Sequence, residues 1–140
     1  MSRYQICRNI VLIGFAIIML QGCQTNASKQ VLAAGNQVEM RSYQTRTYDD
    51  LNKKETMRIV MATLQDLGFV ILKADDVAGI ISATKFNGYQ LRMSVFVRTK
   101  GSQIVVRANA QYNLAAVEDP QPYNDFFTSL EKALFLEKNT

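Results

Sequence analysis

From Met40 the chain alternates through Ser42, Tyr43, Thr45, Thr47 and Tyr48 in β-favouring residues, which predicts a first strand over about 40–48. The period then changes. Asp49 and Asp50 offer N-caps for a helix whose Met57, Val60, Met61, Leu64 and Leu67 recur at spacings of three and four, one apolar stripe that stops at Gly68. Phe69 to Leu72 reads as a short strand of buried type, closed by Asp75, Asp76 and Gly79. A third strand follows over about Ile80 to Phe86, and Asn87-Gly88 is the signal of a two-residue type I′ hairpin. That turn sets Phe86 opposite Tyr89, Thr84 opposite Leu91, Ser82 opposite Met93 and Ile80 opposite Val95. A second hairpin at Thr99-Lys100-Gly101-Ser102, taken as a four-residue loop, pairs Val97 with Ile104, Val95 with Val106, Met93 with Ala108, Leu91 with Ala110 and Tyr89 with Tyr112. After Asp119-Pro120-Gln121-Pro122, a closing amphipathic helix presents Tyr123, Phe126, Phe127, Leu130, Ala133 and Leu134. The pattern predicts an α+β fold, a two-layer sandwich of β-α-β-β-β-α order with helices on one apolar face of an antiparallel sheet.

Ahead of this domain the pattern is different in kind. Arg3 and Arg8 precede Ile10 to Leu20, an uninterrupted apolar run of 11 residues that ends at Gln21, Gly22 and Cys23. A membrane-spanning helix needs about 20 residues, so the run fits a secretory signal better than a permanent span. Residues 24–37 are rich in small and amide side chains and read as a tether. The expected organisation is a signal peptide over 1–22, a modified N-terminus and flexible tether over 23–39, and a single domain over 40–140.

Composition narrows the chemistry. Of 140 residues 48% are hydrophobic and 20% charged, enough for one compact domain and an appendage. There is no His and no Trp, which excludes serine-histidine catalysis, His-ligated zinc and imidazole switching. Cys7 lies in the expected signal peptide, leaving Cys23 as the one cysteine of the mature chain and no intrachain disulfide. The net charge of +4 owes half its excess to Arg3 and Arg8; past them 14 basic and 12 acidic residues are interleaved, and nucleic acid is not an expected partner. The pairs Asp49/Asp50, Asp75/Asp76 and Glu118/Asp119 sit beside a helix start, a turn and a proline, where carboxylates serve as caps and Asx-turns. No metal site, cofactor or enzymatic activity is expected.

The alternate positions of the meander form its second face: Lys85, Gln90, Arg92, Ser94, Phe96, Arg98, Gln103, Val105, Arg107, Asn109 and Gln111. Antiparallel sheets often leave one side to water. Here three arginines surround an apolar spot, with Phe96 expected opposite Val105, and no acid lies among them; this is the composition of a protein-docking face. Arg92, Phe96, Arg98, Val105 and Arg107 are its candidate contact residues, and Arg41 and Arg46 of the first strand would extend it. A binder of a small or lipidic ligand between helices and sheet is the alternative, but the inward set of Leu64, Leu91, Met93, Val95, Val106, Phe126 and Leu130 is bulky enough to fill that space.

Leu20-Gln21-Gly22-Cys23 resembles a bacterial lipobox, and the resemblance implies diacylation of the Cys23 thiol and a mature N-terminus there. Two or more acyl chains, at about 0.8 kcal/mol per buried methylene, hold a protein stably on a bilayer. Gln24 rather than Asp follows the cysteine, which by analogy with enterobacterial lipoproteins implies the periplasmic leaflet of the outer membrane. Leu64 to Ile71 (LQDLGFVI), an Asp-rich turn, Gly79 and a meander together resemble the helix-grip domains of Gram-negative envelope lipoproteins, the BamC-like domains of the barrel-assembly machine. The resemblance implies a non-enzymatic docking or accessory subunit of an envelope complex, whether for barrel assembly, secretion or efflux. This chain departs from that family in holding one such domain and no long N-terminal segment. Cys23→Ala is expected to abolish incorporation of radiolabelled palmitate and to leave an uncleaved precursor; labelling that persists in the variant would overturn the lipid anchor.

Overall fold

A computed structural model describes residues 37–139 except Asn87, so Cys23, the expected signal peptide and most of the expected tether lie outside the described residues. The elements are α1 (37–44), β1 (Thr45–Asp49), α2 (Lys53–Asp66), β2 (Val70–Asp75), β3 (Ile80–Phe86), β4 (Gln90–Lys100), β5 (Gln103–Tyr112), β6 (Ala115–Ala116) and α3 (Gln121–Lys138). The class is α+β. Six antiparallel strands form an open sheet in the order β1-β5-β4-β3-β2, with β6 also beside β5. A helix stands ahead of β1, and the two-residue β6 joins the four strands laid out by the sequence between α2 and α3, two more in all than the β-α-β-β-β-α string holds.

Residues 40–44, expected in the first strand, are helical. The reason is competition for one edge. In its register with β5 (Thr45 opposite Arg107), β1 would need the edge at residues 108–112 to extend backwards, but β6 pairs with Gln111 and Tyr112 and Val117 N–H bonds to Ala110 C=O. The helix α2 begins later than expected as well. Asp50 is a left-handed turn residue (φ 55°), and Asn52 is the N-cap, its Oδ1 accepting from Lys54 N–H at 2.9 Å. At the other end Gly68 (φ 84°) is where the sequence put it: its N–H reaches Gln65 C=O and Phe69 N–H reaches Leu64 C=O, the Schellman pattern. Lys85 Nζ completes this end by donating to Leu67 C=O at 2.7 Å.

The hairpins differ from expectation by one residue and by two, with opposite consequences. Phe86 pairs with Gln90, not Tyr89, so the first connection has three residues and its register is slipped by one. Ile81 and Ala83, opposite Val95 and Met93, are therefore the core residues of β3, in place of Ile80 and Ser82. Lys100 pairs with Gln103, so the second loop has two residues, Gly101 (φ 63°) and Ser102, the glycine-first chemistry of a type II′ turn. A slip of two keeps every side chain on its face, and Val97 meets Val106, Val95 meets Ala108 and Met93 meets Ala110. β2 is an edge strand with a bulge between Ile71 and Lys73, not a buried one; Val70 and Leu72 are 64% and 55% exposed. Gly79 (φ 68°) closes its turn at a point where an added Cβ would run into Val97 C=O and the Lys53 side chain.

One face of the sheet, with Ile81, Met93, Val95, Val97, Ile104 and Val106, is buried with Met57, Val60 and Leu64 of α2 and Tyr123, Phe126, Phe127 and Leu130 of α3. Leu64 and Met93 both lie in that core. Tyr123 does more than fill volume: its hydroxyl accepts from Ala110 N–H at 3.1 Å, donates to Val117 C=O at 2.9 Å and accepts from Gln44 Nε2 at 3.3 Å. Tyr123→Phe is expected to destabilise the fold by about 1–3 kcal/mol for each buried backbone group left without a partner. Urea unfolding checks this, and a variant within about 0.5 kcal/mol of the wild type would deny the hydroxyl its structural role.

Candidate functional site

The face of the sheet turned away from α2 and α3 carries the predicted contact residues. Phe96 lies opposite Arg107 and Arg98 opposite Val105, so the expected pairing of Phe96 with Val105 is replaced by a diagonal one. The four form a quadrilateral with cations at two diagonal corners and apolar side chains at the others; diagonal neighbours on one face lie about 7–8 Å apart. Thr45, Phe96, Arg98, Val105, Arg107 and Asn109 line a depression of about 430 Å³. The Arg98 guanidinium carbon lies 5.9 Å from the centre of the Phe96 ring, within cation–π range. Arg92 is on the same face, opposite Thr84 and Gln111, and exposed, but does not line the depression.

A second depression of about 410 Å³ adjoins the first, sharing Arg107 and Asn109, and reaches Gln37, Met40 and Arg41 of α1 and Tyr123 below. Arg41 thus joins the candidate surface, from a helix and not from the expected strand. Thr45 and Asn109 complete it; Thr45 lies opposite Arg107, a placement that depends on the β1 register.

Arg46 does not join it. Opposite Val106, it points to the helix side, where its guanidinium carbon is 5.1 Å from the Phe127 ring centre and Nε is 3.8 Å from Glu131 Oε1. The contrast extends to the other arginines. Arg58 of α2 pairs with Glu137 at 3.6 Å, whereas the side chains of Arg92, Arg98 and Arg107 have no hydrogen bond or ion pair with any described residue. Two acids border the outer face, and both are engaged: Asp49 Oδ1 accepts from Gln103 Nε2 at 2.8 Å and Asp75 Oδ1 from Ala78 N–H at 2.9 Å. Asp119 likewise takes Gln121 N–H.

Between the end of α2, the start of α3 and the sheet lies a cleft lined by Phe69, Lys85, Tyr89, Tyr112, Asp119 and Asp125 among others. Its volume of about 240 Å³ falls below the roughly 300 Å³ at which ligand pockets begin. Burial foremost, with the neighbouring Tyr89, raises the Tyr112 pKa above its ordinary value. Among the described residues no group of three His, Cys, Asp or Glu side chains is placed to hold a metal ion. A scan against protein-family models gives no match for this chain, and a search of curated proteins gives none either.

Beside Arg46, the Tyr48 hydroxyl is buried without a hydrogen-bond partner. Burial first and Glu131 second raise its pKa far above the ordinary value, with Arg46 pulling the other way. A phenol whose pKa is raised by folding contributes stability that is complete below the unfolded value near 10 and is lost as the pH climbs towards the folded one. Tyr48→Phe is therefore expected to flatten the fall of Tm above about pH 10 while leaving stability at pH 7 unchanged or higher, since no bond is lost. A variant that melts at high pH as steeply as the wild type would remove Tyr48 from the alkaline transition.

Proposed function

We propose that this chain is a lipid-anchored lipoprotein of the outer membrane, facing the periplasm, and that its domain is a non-enzymatic docking subunit of an envelope complex. The anchor is acylated Cys23, following removal of residues 1–22. Helices packed on one face of an antiparallel sheet suit the helix-grip arrangement that the Leu64 to Ile71 stretch suggests, and that arrangement leaves the opposite face free for a partner. Among the described residues no helix is long and apolar enough to cross a membrane.

The observation that carries the reading is the unequal treatment of the arginines. Arg46 and Arg58, on the helix side, are ion-paired; Arg98 and Arg107 of the outer face flank Phe96 and Val105 with no ion-pair partner among the described residues. Arginine beside a part-buried aromatic in a depression is the composition of an interface centre. The engaged carboxylates support a non-enzymatic role, because Asp49, Asp75 and Asp119 are taken up by side-chain and backbone donors. Barrel assembly, secretion and efflux are the complexes considered for that docking.

A photoreactive residue in place of Phe96, activated in living cells, is expected to capture an envelope protein. Arg92→Glu with Arg107→Glu is expected to remove that partner from purifications while changing the unfolding free energy by no more than about 0.5 kcal/mol, as surface substitutions do. Absence of any captured protein, together with wild-type behaviour of the double variant, would move the function away from this face.

A further inference from the structure

Resting on the docking reading above, we propose that the occupant of the outer-face trough is an extended, carboxylate-bearing peptide segment of the partner, with acidic side chains on Arg98 and Arg107 and an apolar side chain on Phe96 and Val105. Charge comes first. Arg98 and Arg107 stand at diagonal corners of one quadrilateral, and no described carboxylate is bound to either. Two like charges at that separation repel unless an anion stands between them. Among the described residues no carboxylate is within ion-pair distance of Arg98 or Arg107, which leaves both open to an anion from outside the chain.

Shape separates a peptide from a bilayer as the source of that anion. The two depressions, about 430 and 410 Å³, adjoin at Arg107 and Asn109, the first lined by Phe96 and the second by residues of α1. A planar headgroup layer meets protruding side chains and does not reach the floor of a trough. An extended strand, rising about 3.3 Å per residue with side chains alternating in direction, follows it and sends every second residue inward. The trough offers that strand both kinds of contact: Thr45 and Asn109 line it with hydroxyl and amide groups for a peptide backbone, and the Arg98 guanidinium, 5.9 Å from the Phe96 ring centre, is a planar fork for a carboxylate. Arg41 is a third cation, lining the second depression.

The test uses the full chain in neutral detergent micelles and a fluorescein-labelled decapeptide of sequence Glu-Ser-Val-Ser-Glu-Ser-Val-Ser-Glu-Ser, whose inward face carries Glu and Val in turn, with a Gln-for-Glu peptide as control, read by fluorescence anisotropy. The Glu peptide is expected to bind, more weakly as salt is raised from about 50 to 300 mM, and the Gln peptide not to bind. Arg98→Glu with Arg107→Glu is expected to weaken binding at least about tenfold, while Arg98→Lys with Arg107→Lys, which keeps the charge and loses the planar fork, is expected to weaken it less than the reversal does. Circular dichroism of both double variants confirms that they fold. Equal binding of the two peptides, or an unchanged affinity in the reversed variant, would overturn the proposal. So would sedimentation with phosphatidylglycerol-containing vesicles that requires Arg98 and Arg107 in a chain that ignores the Glu peptide; the trough would then be a lipid-headgroup site. If a photoreactive residue at position 96 captures an envelope protein while the Glu peptide is ignored, the docking face stands and its acidic partner does not. Capture of nothing by a chain that binds the Glu peptide through Arg98 and Arg107 would uphold the trough chemistry and overturn the docking subunit.

Discussion

The Tyr123 hydroxyl occupies the position of a missing sheet hydrogen bond, and much of the architecture depends on it. β5 and β6 pair at Tyr112 with Ala115 and at Gln111 with Ala116, and the next rung is Ala110 with Val117. Half of that rung is direct, from Val117 N–H to Ala110 C=O. The other half passes through the phenol, which accepts from Ala110 N–H and donates to Val117 C=O. Inserting an oxygen there separates the two strands, ends β6, and sends the chain from Val117 toward Pro120 and α3. A hydroxyl has one donor and two acceptor sites, and Gln44 Nε2 takes the remaining one. The first helix, the sheet edge and the last helix thus meet on one fully used oxygen within the core.

The same junction limits the candidate site. β5 is long enough to serve two partners on one edge, β1 along Gln103 to Arg107 and β6 at Gln111 and Tyr112. Between them the edge is held by Tyr123 instead of a strand, and Gln44 turns β1 into α1 at that point. The resulting step in the surface is the second depression, whose lining includes Ala110 and Tyr123 as well as Arg41 and Arg107. A continuous strand from Met40 to Tyr48 would have covered this edge.

Legibility of the fold followed the physical range of each signal. The apolar stripe of α2, the Gly68 stop and the stripe of α3 depend on spacing within one helix, and all appear in the structure. Register depends on turns, and two local facts displaced it. Tyr89 leaves the strand to meet Tyr112 edge-on at 4.6 Å between ring centres, making the first connection one residue longer and turning Ile81 and Ala83 inward. Gly101-Ser102 closes a tighter loop than four residues, but a two-residue change preserves faces, so Arg92, Phe96, Arg98, Val105 and Arg107 share a surface as expected. What sequence could not supply was the competition for the edge of β5. Arg46 is its casualty: expected with Arg41 to extend the outer face, it is turned by the observed register toward Phe127 and Glu131.

The distribution of cations follows from what each layer lacks. α2 has no basic residue in its last turn, and Lys85 reaches across from β3 to bind its terminal carbonyl at Leu67. Lys53 does similar work in the β2–β3 turn, donating to Val77 C=O at 3.0 Å, and Lys138 reaches Asp49 C=O at 3.4 Å. These charges close backbone groups that the fold would otherwise leave open. The outer-face arginines close none. Surface ion pairs contribute little to stability in any case, so folding gives no reason to gather Arg92, Arg98 and Arg107 on one face without acids. Solubility gives no better one, because it is served by interspersed charges of both signs rather than by a single-sign cluster around Phe96 and Val105. The proposed docking of an anionic partner gives the arrangement a use that neither folding nor solubility supplies.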